Sequence, residues 1–188
     1  RLLNSATTAS KIWSQNTYLK ANSTIHTPNV GGDIDWTGPS YLYRSTSLFT
    51  LTKTGAGDLR MRHPVTNGSN AIDFNIDVQA GNLWFDVTGT SGFSAIYSLA
   101  AGTKLYYNGS ANGSFPGTIT GDGAVVFLKT IGVANSNTTT LSGANTYTGG
   151  TTIMNGASIT LGVNPVMNGN AIVSSAFGTG PLTLGDAG

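Results

Sequence analysis

Two pairs of aspartates are spaced for chemistry. Asp33 and Asp35 in "GGDIDW" lie two residues apart, and Asp73 and Asp77 in "IDFNID" lie four apart. On a strand both spacings put the carboxylates on one face, which acid/base catalysis or a Ca²⁺ site would need. Neither pair has a third acid close by in sequence, and an Asp beside a turn ordinarily caps it, so solvated caps are the favoured reading. His26 in "TIHTPN" and His63 in "RMRHPV" each stand before a proline-containing turn. No Gly-x-Ser-x-Gly elbow offers them a nucleophile, and two isolated His without Cys make no zinc ligand set. Arg60 and Arg62 share a strand face suited to sulfate, phosphate or an acidic glycan, although a solvated face is the simpler account. "GTGPLTLG" and "GDGAVVF" lack the helix N-terminus and the Lys of a phosphate loop. No residue is assigned to catalysis, to a cofactor or to a metal.

Aromatic residues offer a different chemistry. Trp13, Trp36, Tyr41 and Tyr43 belong to the part of the chain densest in Trp and Tyr, and they are the candidate surface for a glycan or a protein partner. Tyr18, Trp84, Tyr97, Tyr106 and Tyr107 complete the aromatic set, most of which is expected to be used in core and cap. Asn22, Asn67, Asn108, Asn112 and Asn137 begin N-x-[ST] sequons, which arise readily by chance in so Asn- and Thr-rich a chain.

The elements that would position these groups follow from composition. Only 9 % of the 188 residues are charged, against about 25 % in an average soluble protein, so Thr, Ser, Asn and Gly carry the polarity. All eight acids are Asp and there is no Glu, while Gly fills 26 positions. Loss of a favoured helix former and abundance of turn residues point to an all-β chain of short strands. Nine scattered basic residues and a net charge of +1 form no stripe for a nucleic acid. No apolar run is long enough to span a membrane as a helix, and the N-terminus does not read as a signal peptide. The start on Arg and the stop at "LGDAG" lead us to expect a processed or partial piece. The absence of Cys suits a bacterial exported protein that avoids periplasmic disulfides.

A glycine followed by alternating apolar residues recurs along the chain: "GAGDLRM", "QAGNLWF", "AAGTKLYY", "GDGAVVF", "MNGASITL" and "GTGPLTL". With Gly57, Gly81, Gly102, Gly123, Gly156 and Gly180 as markers, the steps are 24, 21, 21, 33 and 24 residues, the long one holding an extra strand-like piece, "NTTTLSG"; a period in the low twenties is the length of one β-solenoid coil. The pattern predicts inward rows of Leu59/Met61, Leu83/Phe85, Leu105/Tyr107, Val125/Phe127, Ile159/Leu161 and Leu182/Leu184, with each glycine at a corner. A β-sandwich is the alternative. Residues 1–47 carry no such phrase and are expected to form a β-rich N-terminal cap or docking segment, with solenoid coils over 48–188.

Within those coils, "LSGANTYTGGTTIMNGASITLG" (141–162) and "SSAFGTGPLTLGDAG" (174–188) closely resemble the passenger-associated transport repeat, also called the autotransporter-associated β-strand repeat. "LTKTGAGDLRM" (51–61) is similar to the segment that precedes such a phrase. The resemblance implies a right-handed parallel β-helix, exported across the outer membrane in a bacterial type V secreted surface protein. Its motif falls on Asn145, Tyr147, Gly149 and Gly150. Tyr147 is expected to cover the solenoid's side, Asn145 to bond its own turn or a neighbouring Asn, and the glycines to turn a corner. The 188 residues include no recognisable membrane β-barrel segment. The expected role is structural, at the cell surface, with self-association through the solenoid ends into a fibre. An adhesin or carbohydrate-binding module is the alternative, and a β-helical polysaccharide-degrading enzyme a third, disfavoured reading.

Overall fold

The computed structural model describes residues 2–3, 11–14, 21–37, 49–62, 75–87, 95–109, 112–129 and 138–185. Their regular structure is all strand. Six strands, Leu2–Leu3, Ser23–His26, Thr50–Thr54, Asn75–Val78, Ile96–Leu99 and Thr118–Gly121, pair in that order in one parallel sheet. Eight more make a second: Lys11–Trp13, Ile34–Trp36, Leu59–Met61, Asn82–Val87, Lys104–Gly109, Ala124–Leu128, Thr151–Ile153 and Leu182–Leu184. Gly113–Phe115, Thr138–Leu141 and Ser158–Leu161 form a third. In these three sheets each strand pairs in parallel with strands a full coil away in sequence, which makes a β-solenoid. A sandwich would pair its neighbours antiparallel.

Alternation of residue type explains why the coils stack. Leu59, Leu83, Leu105 and Val125 stand opposite one another in the eight-stranded sheet, as do Met61, Phe85, Tyr107 and Phe127. They meet Leu51, Ile76, Val78, Tyr97, Leu99 and Ile119 of the six-stranded sheet in one buried cluster. Each large apolar side chain so covered contributes about 1.5–3 kcal/mol. A single coil lacks the neighbours needed for such burial.

The structure departs from expectation in four places. Residues 1–47 do not stand apart: their described strands pair in register within both large sheets, with Trp13 opposite Trp36 and Ile25 opposite Lys53. Lys11 stands opposite Ile34 and Ile34 opposite Leu59, so the solenoid period already runs through this part of the chain. The Gly156 phrase is not a rung of the glycine ladder. Thr151–Ile153, after Gly149 and Gly150, takes that place opposite Val125–Phe127, while Ser158–Leu161 joins the three-stranded sheet beside Thr138–Leu141. The predicted inward rows hold as far as Phe127 and then fail. Leu161 and Leu182 are about half exposed and Leu184 is 71 % exposed, because no further strand among the described residues lies over them. Finally, Val166–Asn168 and Ala171–Ser174 form an antiparallel hairpin that the glycine ladder gave no sign of.

Candidate functional site

The phrase around Asn145 and Tyr147 ties neighbouring coils together through buried polar atoms. Asn145 is buried and joins three levels of the solenoid. Its Oδ1 accepts from the backbone N–H of Ile119, 2.8 Å away, and its Nδ2 donates to the carbonyl of Ala176 at 2.7 Å. The backbones of Asn145 and Ser175 exchange two further hydrogen bonds. Asn145 thus bonds neighbouring coils and neither its own turn nor another Asn.

Tyr147 is also fully buried, so it fills the interior and does not cover the side. The Thr151 hydroxyl donates to the Phe177 carbonyl at 2.9 Å, which leaves its oxygen to accept from the Tyr147 hydroxyl. Burial pushes the Tyr147 hydroxyl up to about 12, and the bond to Thr151 opposes part of that rise. Gly149 and Gly150 lie at the corner before Thr151–Ile153. Gly150 has φ 90°, and a Cβ on Gly149 would lie 2.5 Å from the Gly123 carbonyl group. Only glycine meets both demands cheaply.

A second polar cluster inside the core was not foreseen. The register puts Lys53 between Ile25 and Val78 on the inward face, and its side chain is wholly buried. Its ammonium donates to the carbonyls of Gly55 and Ala80 at 2.8 Å each and of Thr54 at 3.2 Å, tying one corner to the next. Burial lowers its pKa to about 8 against the pull of Asp58 and Asp33. Strict alternation in "TLTKTG" was the available signal, since it aligns Lys53 with Leu51.

Asx side chains clamp one coil to the next. Asn22 accepts from the backbone N–H of Thr50, Asp33 from Asp58, Asp58 from Asn82, Asn75 from Ile96, Asn82 from Lys104 and Asn112 from Thr138, at 2.7–3.2 Å. Each satisfies a donor at the start of a strand. Asp33 is therefore a clamp. Asp35, its partner in sequence, pairs with Arg62 at 3.2 Å, so the two carboxylates serve different neighbours. Asp77 accepts from Gln79, while Asp73 lies outside the described residues. His26 bonds Thr54, and His63 is likewise outside them. Among the described residues no three His, Asp, Glu or Cys side chains gather as metal ligands.

The outward faces of the two large sheets differ. Thr24, Thr52, Asp77, Ser98 and Thr120 align on the six-stranded sheet, a column made mostly of hydroxyls. On the eight-stranded sheet Asp35, Arg60, Trp84 and Tyr106 align. The Arg60 guanidinium sits 4.3 Å from the Trp84 ring and Tyr106 stacks on that ring at 3.9 Å, while Asp58 holds the indole N–H at 2.7 Å. Arg62 and Asp86, 3.9 Å apart, flank the column. The expected aromatic platform is arranged otherwise: Trp36 is 4 % exposed and stacks on half-buried Trp13 at 4.9 Å, so Trp36 has no ring face to offer a sugar. Tyr41 and Tyr43 lie outside the described residues.

Residues 134–157 match the Passenger-associated-transport-repeat family, a stretch that contains Asn145, Tyr147, Gly149 and Gly150. Neither the curated proteins nor the solved structures include a match to the chain. No helix among the described residues is long and apolar enough to cross a membrane, a statement that does not bear on β-barrels.

Proposed function

We propose that the chain is a structural part of an exported bacterial surface protein of the autotransporter-passenger kind, projecting from or covering the cell. One observation carries this reading. Asn145 and Tyr147 of the matched repeat face inward, with both amide atoms of Asn145 and the hydroxyl of Tyr147 engaged in holding coils together. A segment so used has a mechanical role. Fusion to a translocating outer-membrane barrel, followed by protease treatment of intact cells, tests it. Cleavage of the chain from outside is expected, and a folded chain released only by osmotic shock would overturn the proposal.

The finer role we infer is association with further copies. Leu161, Leu182 and Leu184 are exposed on edge strands in a stretch, 130–185, without one charged side chain, and charge is the usual guard against edge pairing. Sedimentation that finds only monomer at high concentration would remove this role.

A second reading, ligand binding, is favoured by the column of Arg60, Trp84 and Tyr106 with Arg62 and Asp86 beside it, residue types that concentrate binding energy at interfaces. A glycan array whose hits survive both Trp84→Ala and Arg62→Ala would rule out this face.

A further inference from the structure

Asn-Gly occurs five times, at Asn67, Asn108, Asn112, Asn155 and Asn168. This dipeptide can cyclise, because glycine leaves its own backbone nitrogen open to approach by the preceding side chain. Position in the fold decides where that approach is permitted. Asn112 is held, since its Oδ1 accepts from Thr138 at 2.8 Å and Gly113 is paired in a strand. Asn108 is held as well, donating to Asp86 at 3.0 Å, with Gly109 paired opposite Val87. Asn155 occupies a tight turn, with φ 55° followed by φ 67° at Gly156, closed by the bond from Ala157 N–H to the Met154 carbonyl. Asn67 lies outside the described residues.

Asn168 differs from Asn108 and Asn112, and shares with Asn155 a following turn glycine that has open space beside it. It is exposed at the tip of the hairpin, and Gly169, with φ 60°, has open space where a side chain would project. No hydrogen bond to the Asn168 amide is found among the described residues. The hairpin consists of two short strands whose register is irregular beside Val166, and two strands alone are marginally stable in water. Local opening there has little to overcome.

We infer that Asn168 is a site of spontaneous intramolecular deamidation. Hydroxide takes the Gly169 backbone proton, and the nitrogen attacks Cγ of Asn168 to form a five-membered succinimide. The C–N bond of the side-chain amide breaks, and the leaving nitrogen takes up a proton and departs as ammonia. Water then opens the ring at either carbonyl, leaving aspartate or isoaspartate. The product is a carboxylate in the uncharged stretch 130–185, on a hairpin that exposes Val166, Met167, Ile172 and Val173. A charge in such a place opposes edge pairing.

Incubation of the folded chain at mildly alkaline pH, followed by peptide mapping with mass spectrometry, tests the site. Amide-to-acid conversion at Asn168 is expected to outrun that at Asn108 and Asn112 by at least about tenfold, the factor that about 1.4 kcal/mol of extra opening cost imposes. In denaturant the sites are expected to react alike. Equal rates in the folded chain, or an unchanged preference for Asn168 in denaturant, would overturn the inference. So would persistence of the main acidic charge variant in Asn168→Gln.

Discussion

Tyr97 and Tyr147 are both fully buried, yet they stand in regions built on opposite plans. Around Tyr97 the coils cohere through apolar contact: Phe85 lies 5.8 Å away edge-on and Phe115 5.2 Å away tilted, and the Tyr97 hydroxyl has no hydrogen-bond partner among the described residues. Burial, and then Tyr107, hold that hydroxyl well above its ordinary pKa. Around Tyr147 the polar atoms are joined in a chain from the tyrosine through Thr151 to Phe177. The middle coils thus use tyrosine as bulk, and the repeat coil uses it as a link. Filling space tolerates any ring of the right size, whereas a link fails when either of its atoms is lost.

The largest effect should follow from removing the other buried polar link of the repeat coil, Asn145. Asn145→Ala leaves the Ile119 N–H and the Ala176 carbonyl buried without their partner, at about 1–3 kcal/mol each. Chemical denaturation is expected to show a loss of roughly 2–5 kcal/mol, and a loss below about 1 kcal/mol would mean that Asn145 is no staple.

Alkaline titration separates the buried amine from the buried hydroxyls. Folded Lys53 releases its proton near pH 8, while the unfolded side chain keeps it to about its ordinary 10.5. The unfolded state therefore binds more protons across that window, and stability should rise by roughly 1–3 kcal/mol. Above about pH 10 the sign reverses: Tyr97 and Tyr147 stay protonated when folded, the unfolded hydroxyls ionise, and stability falls. Urea midpoints across this range should peak near pH 10. The rise should vanish in Lys53→Met.

The tyrosines themselves give a smaller contrast. Tyr147→Phe removes a made hydrogen bond and should cost about 1 kcal/mol. Tyr97→Phe removes an orphaned hydroxyl and should be neutral or slightly stabilising. Equal losses in thermal melts would erase the distinction between bulk and link.

Salt should matter least. The ion pairs seen among the described residues join half-exposed Arg62 to Asp35 and Asp86, and exposed pairs contribute about 0–1 kcal/mol each. A large drop in melting temperature in molar salt would show that charge holds the coils together more than either plan allows.

Much of this architecture was legible in the residues. Alternation behind a recurring glycine foretold the strands, the corners and the buried rows from Leu59 to Phe127, because period two and the glycine requirement are local properties of the backbone. Gly149 and Gly150 were legible for the same reason. The roles of Asn145 and Lys53 were not, since their partners lie a coil away and no spacing in the sequence names Ile119, Ala176 or Ala80. Trp13 and Trp36 looked like a surface and proved to be a stack, because alternation alone does not say which face of a strand will be covered.

The sequence by itself determined a thiol-free, nearly uncharged chain of short strands with a solenoid period and one recognisable repeat. The tertiary structure alone decided that Leu83 is buried while Leu184 is not, and that Asn112 is clamped while Asn168 stands free. The physical reason is common to both cases. In a solenoid, burial and hydrogen bonding come from the adjacent coil, so the same residue type takes opposite environments according to what is stacked above it.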